Sequence, residues 1–171
     1  MLESHNSVYL ADVSADPVAI RIEGRASFQN SACLQDFVKA LIDQGRYRFT
    51  IDFGGCTGMD STFLGVLAGA ALQVRKHAPP GSLTLLRIEG RNLELVRNLG
   101  LHRILNIEEA EGTTQSATAA QAIPCVDRSE LEQAKVALQA HENLVEAEEG
   151  NRGKFQDVLH FLRKRIDEEK P

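Results

Sequence analysis

Tryptophan is absent from this chain of 171 residues, and only two tyrosines and seven phenylalanines make up its aromatic content. Any core must therefore be mainly aliphatic, and hydrophobic residues at 43% are sufficient for one. Cysteine is also scarce. Cys33, Cys56 and Cys125 form an odd, widely spaced set without a C-x-x-C pair, which indicates neither a disulfide framework nor a structural zinc site. They read as three reduced, mostly buried thiols. The five histidines, His5, His77, His102, His141 and His160, show no H-E-x-x-H or H-x-H spacing, so no metal enzyme is indicated and no cofactor is expected. Positive charge falls short of negative charge, leaving a net charge of −5 with no local Lys/Arg cluster. That excludes the phosphate-backbone attraction on which nucleic-acid binding rests. No apolar run approaches the roughly 20 residues of a membrane span, and Met1 to Asn6 lacks the basic and apolar regions of a signal peptide. The expectation is a cytoplasmic protein without a membrane partner.

The chain is long enough for one domain of ordinary size and a small appendage. Val8 to Val13 and Pro17 to Ile22 are short β-prone runs flanking the turn formers Ser14-Ala15-Asp16, and predict a hairpin. Phe28, Cys33-Leu34, Phe37-Val38 and Leu41-Ile42 recur at helical spacing and stop near Gly45. Tyr47 to Phe53 predicts a third strand that breaks at Gly54-Gly55. A helix from Thr62 to His77 ends at Pro79-Pro80-Gly81, and Ser82 to Glu89 predicts a fourth strand. A short helix over Asn92 to Leu99 stops at Gly100, and Ile104 to Ile107 can form a last strand. Alternating strands and helices give an α/β layer structure, parallel wherever a helix makes the crossover.

Composition changes at Ala110. The Thr, Ser, Ala and Gln-rich stretch over 111–126 predicts a linker between a domain over 1–110 and a helical extension over 127–171. In that extension Leu131, Ala134, Leu138, His141 and Leu144-Val145 share one helix face, and Phe155, Leu159, Leu162 and Ile166 share another, with a break at Gly150 to Gly153. Ser129 and Glu132 fit a capping box. Two helices this short cannot bury both stripes alone, so the hairpin must pack on the domain or pair with a second copy in a homodimer. Folded back on the domain, it would reach the Ser61 end and occlude it.

The chemistry concentrates in Cys56-Thr57-Gly58-Met59-Asp60-Ser61-Thr62-Phe63-Leu64-Gly65, where a strand gives way to a helix. Ser61 can cap that helix through its hydroxyl, with Asp60 favouring the positive helix end. A serine nucleophile would need a base and an oxyanion site. The G-x-S-x-G elbow is absent, and nothing places His77 or His102 beside Ser61. Gly54, Gly55 and Gly58 lack the lysine of a G-x-x-x-x-G-K-[ST] phosphate loop and read as turn glycines. The stripe Phe63, Leu67, Ala70 and Val74 reads as core, with docking as a secondary role.

Ile51-Asp52-Phe53-Gly54-Gly55-Cys56-Thr57-Gly58-Met59-Asp60-Ser61-Thr62, continued by Leu64-Gly65-Val66-Leu67, resembles the strand, loop and Asp-Ser-Ser/Thr signature of the STAS domain. This is the family of bacterial anti-sigma factor antagonists and the soluble tails of sulphate transporters. Gly90-Arg91-Asn92-Leu93 through Leu99-Gly100-Leu101 resembles the later helix of that family, so the likeness covers about Val8 to Glu108. The resemblance implies a STAS-like mixed sheet of four to five strands with helices, here followed by a C-terminal helical hairpin. It also implies a non-enzymatic signalling protein that binds an anti-sigma factor or serine kinase-like regulator, with Ser61 as the phosphoacceptor and Asp60, Ser61, Thr62 and Phe63 at the partner surface. A phosphoserine adds about −1.5 to −2 charges, which the helix N-terminus tolerates while a partner surface is repelled. The antagonists commonly carry Gly after the triplet, whereas Phe63 stands here. The alternative is an interaction or scaffold module that uses the same surface without phosphorylation.

Overall fold

The computed structural model describes residues 8–108 and 120–169. Strands β1 (Tyr9–Asp12) and β2 (Val18–Ala26) form the expected antiparallel hairpin. Asp12 Oδ1 accepts from the Ser14 backbone N–H at 2.9 Å and sets the turn. Helix α1 (Ser31–Asp43) then crosses to β3 (Arg48–Met59), which lies parallel to β2. Helix α2 (Ser61–Arg75) crosses to β4 (Ser82–Leu86), parallel to β3. Helix α3 (Gly90–Asn98) and a single 3-10 turn over Leu101–Arg103 lead to β5 (Asn106–Glu108), parallel to β4. The next described strand, β6 (Gln121–Ala122), returns antiparallel to β1, so the sheet order is β5-β4-β3-β2-β1-β6. Helices α4 (Glu130–Ala147) and α5 (Asn151–Glu168) complete the chain.

The mixed sheet and the helical hairpin are as expected, but three details differ. First, β3 does not break at Gly54-Gly55 but runs through to Met59. A Cβ on Gly54 would overlap the Arg87 guanidinium, and one on Gly55 would overlap the Glu23 carboxylate and the Ile22 carbonyl. These glycines permit close approach across the strand rather than a turn, and at two register shifts against β2 the extra residue lies in β3 as a bulge. Arg87 lies over this point and holds Asp52 through two hydrogen bonds of 2.8 and 2.7 Å. Second, the sheet gains a sixth strand from the end of the predicted linker; the linker's residues 111–119 lie outside the described residues.

Third, Cys33 and Cys125 are joined in a disulfide, which corrects the reading of three reduced thiols. β6 sets the chain beside β1, and Ile123 enters the core at 2% exposure while its N–H donates to the Tyr9 carbonyl. That path brings Cys125 to a Cα–Cα distance of 5.2 Å from Cys33 across 92 positions. Sequence spacing carries no sign of it, because a short edge strand produces the approach. Arg128 pairs with Asp36 of α1 just beyond the bond.

The core is aliphatic, as the scarcity of aromatics requires, with Tyr9, Phe49 and Phe63 as its largest fully buried members. Helix α2 is buried without interruption from Thr62 to Ala68. A helix apolar all round must be covered on both sides: the sheet and α1 cover one side of α2, and α4 covers the other. The seam between α2 and α4 depends on small residues. A Cβ on Gly65 would overlap the Ala140 backbone, and one on Gly69 would overlap the Asn143 amide. Asn143 Nδ2 donates to the Gly65 carbonyl at 3.1 Å, and Gln139 Nε2 donates to Asn143 Oδ1 at 2.9 Å. At the far end of the hairpin the buried Asn151 donates to the carbonyls of Leu99 and Leu144, at 2.9 and 2.8 Å. Phe155, Leu159, Leu162 and Ile166 turn inward along α5 as their spacing predicts, and the Ser129–Glu132 capping box is formed.

Candidate functional site

β3 ends and α2 begins at Asp60, whose extended backbone (φ −121°, ψ 178°) suits a cap residue. Its Oδ1 accepts from the Phe63 N–H at 3.0 Å, and its Oδ2 accepts from the Phe28 N–H at 2.8 Å. One carboxyl group thus ties the start of α2 to the loop that enters α1. This corrects the expected cap: Asp60 caps the helix, and Ser61 is its first helical residue. The loop from Ser27 to Asn30 is held separately. Asn30 Oδ1 accepts from the Tyr9 hydroxyl at 2.7 Å and from the Ser27 N–H at 2.9 Å. Burial, reinforced by the Asp60 carboxylate and Cys56, pushes the Tyr9 hydroxyl far up, so it stays a neutral donor.

Relieved of capping, the Ser61 hydroxyl meets a residue 80 positions away, His141 of α4, with Oγ and Nε2 2.9 Å apart. The other ring nitrogen, Nδ1, lies 2.6 Å from the Ala137 carbonyl oxygen. A carbonyl only accepts, so Nδ1 carries a proton, and in the neutral ring Nε2 accepts from the serine hydroxyl. His141 is 4% exposed, and its ring meets Phe155 edge-on at a centroid distance of 5.1 Å. Of the two histidines weighed beside Ser61 in the sequence, His77 stacks on Tyr47 at 3.7 Å and His102 is exposed in the 3-10 turn. Its sequence spacing places His141 on the apolar face of a helix and gives no sign of this contact. The overlooked signal lies in α2: a helix with no polar face needs a second cover, and the C-terminal hairpin carried the unpaired stripes.

A serine with an oriented histidine is the beginning of a nucleophilic centre. One amide of the helix start is already engaged, because the Phe63 N–H donates to Asp60, whose carboxyl group lies beside Ser61. Burial pushes the Cys56 thiol up, which favours its protonated form. The arrangement serves as a latch between two helices and as a hydroxyl presented at a helix start.

Of the four residues expected at the partner surface, Asp60 and Ser61 are half-buried and Thr62 is buried. Phe63 is at 0% exposure, with its ring 6.4 Å from Tyr9 and 6.3 Å from Phe53. It is a core residue and offers a partner no surface, which corrects its place in that set. On this face of the sheet the ring packs with Tyr9 of β1 and Phe53 of β3. What is accessible near Ser61 is an open cleft of about 600 Å³ bordered by Phe28, His141, Val158 and Phe161. Phe28 and Phe161 are 49% and 59% exposed.

Residues 10–107 match the family model described as "Mlab, STAS domain". This chain belongs to the STAS domain family. Among solved structures it is similar to the anti-sigma factor antagonist SpoIIAA in its unphosphorylated form, at 18% identity and a TM-score of 0.50, over 60% of this chain and 89% of that one. It is equally similar to the Bacillus cell fate determinant SpoIIAA in the phosphorylated form, at 19% identity and a TM-score of 0.51, over 64% and 95%. A third similar structure is described as a putative anti-sigma factor antagonist from Thermotoga maritima, at 16% identity and a TM-score of 0.51, over 62% and 88%. These likenesses concern the fold. No curated protein sequence matches the chain significantly. Among the described residues no helix is long and apolar enough to cross a membrane.

Proposed function

We propose that this chain is a non-enzymatic, phosphorylation-controlled protein-interaction switch of the cytoplasm, binding an anti-sigma factor or a serine kinase-like regulator and acting in transcription control. The observation that carries the reading is the position of Ser61. It is the first residue of a helix capped by its neighbour, so a phosphate there meets the positive helix end without displacing the cap. The similar antagonist structures in unphosphorylated and phosphorylated forms support carrying such a modification to this fold. In the reading, Asp60 organises the surface and Ser61 controls it, while exposed Phe28 and Phe161 supply the apolar contact. Ahead of α4, Arg128 pairs with Asp36 of α1, beside the Cys33–Cys125 bond. Because α4 buries its stripe on α2, the unmodified chain would carry its hairpin docked in cis rather than pairing helices between two copies.

Mass spectrometry of the protein from its native cells, joined to calorimetry with the captured partner, tests the proposal. We expect phosphate on Ser61 and an affinity that differs at least tenfold between wild type and Ser61→Asp. Absence of phosphate under every growth condition, with equal affinities, would leave the scaffold reading instead.

A further inference from the structure

We infer that the outward face of α2 is a helix-docking surface whose occupant in the unmodified protein is α4 of the same chain, and that a phosphate on Ser61 vacates it. The inference rests on the proposed phosphorylation of Ser61 and assigns it a direction: modification opens the surface.

Three observations converge. Gly65 and Gly69 lie one turn apart and leave room only for a helix backbone approaching closely, and Ala140 and Asn143 fill that room. The seam is held by specific polar contacts rather than by bulk: Asn143 to the Gly65 carbonyl in its middle, and Ser61 to His141 at its end. Finally, the hydroxyl that would receive phosphate is itself one of those contacts. In the rotamer that faces α4, a phosphoryl group would occupy the position of the His141 ring, which the Gly65–Ala140 contact prevents from shifting inward. In any other rotamer, the buried Nε2 of His141 loses its only hydrogen-bond donor among the described residues. Both outcomes weaken the docking of α4, and α5 follows because its apolar face rests on α4. The freed face of α2 would then accept a partner helix with small residues and an amide at the spacing of Ala140 and Asn143. The hairpin is thus a competitor carried in the chain.

Hydrogen–deuterium exchange on the full-length protein tests this without any partner. Amides of α4 and α5 are compared in wild type, Ser61→Asp and His141→Ala, with amides of β2, β3 and β4 as the control for folding. Gly65→Leu, which forces the seam apart at Ala140, supplies the exchange rate of a freed hairpin. The expected result is at least tenfold faster exchange in α4 for both Ser61→Asp and His141→Ala, toward the Gly65→Leu rate, with the sheet unchanged. Wild-type protection of α4 in either variant overturns the inference, as would tighter protection from a phosphate–imidazolium pair. Unchanged α4 together with altered partner affinity in Ser61→Asp would refute this mechanism and leave the proposed function standing. An opened hairpin with no phosphate on Ser61 in cells would do the reverse.

Discussion

The STAS body over residues 8–108 and the α4–α5 hairpin are held by different means. In the body, β1 to β4 and the inner side of α2 close over one aliphatic core in which Tyr9, Phe49, Phe63 and Leu85 are fully buried. The hairpin contributes Leu144 to that core, while Ala134, Leu162 and Ile166 form a small cluster of their own. Phe155 and Ala147 pack against that core from the hairpin, which is further attached by the seam at Gly65 and Gly69, by hydrogen bonds from Asn143 and Asn151, and by the Arg103–Glu148 ion pair. The body thus depends mainly on buried area, whereas the hairpin combines less buried area with close fit and polar ties, which is why the proposed release by a small chemical change would leave the body folded. Helices of this length are marginal alone, so what controls docking also controls their order.

The largest expected effect comes from a substitution that ignores the distinction. Phe63→Ala removes a fully buried ring packed between Tyr9 and Phe53, at a cost of about 3–5 kcal/mol. Because Phe63 sits in α2, which both regions share, denaturant unfolding followed by exchange should show sheet and hairpin amides losing protection together. A loss confined to the hairpin would mean that Phe63 belongs to the docking surface after all.

This also shows what was legible in the sequence. The body was, because its strands alternate and its helices end at Gly45 and Gly100, both at positive φ. Local pattern and final structure agree there. The hairpin's own helices were equally readable, down to the Ser129 cap. What stayed hidden is where elements meet at long range. Cys33 with Cys125, and Ser61 with His141, are joined across 92 and 80 positions through contacts that leave no periodic trace. The role of Asp60 was missed by one residue because Asp and Ser are both good caps, and only the extended backbone at Asp60 decides between them. Gly54 and Gly55 were misread because a glycine that lets a guanidinium lie on a strand has the same letter as one that turns it.

A smaller effect should separate the two regions. Asn143→Ala removes the donor to the Gly65 carbonyl and leaves that acceptor in the seam without it, at a cost of about 1–3 kcal/mol. Protease susceptibility within α4 and α5 should rise, while the main thermal transition of the sheet moves little. If the whole molecule lost stability by the same amount, body and hairpin would be one cooperative unit and the contrast between them would disappear.

The smallest effect belongs to a contact that looks strong and contributes little. Glu149 and Arg152 meet at 2.5 Å across the turn between α4 and α5, yet their side chains are 73% and 61% exposed. Arg152 holds the Glu149 carboxyl below its ordinary value. A carboxyl depressed in the folded state stabilises above its unfolded pKa, and that contribution is lost as pH falls through the folded value. Glu149→Gln should therefore fall only slightly below wild type in thermal midpoint at neutral pH, because water and ions screen an exposed pair, and that small difference should fade with added salt and disappear in acid solution, where Glu149 is itself protonated. A clear loss at neutral pH would show that the turn, rather than the seam with α2, sets the geometry of the hairpin. A slight difference would leave Asn143 and His141, which are buried, as the contacts that hold it.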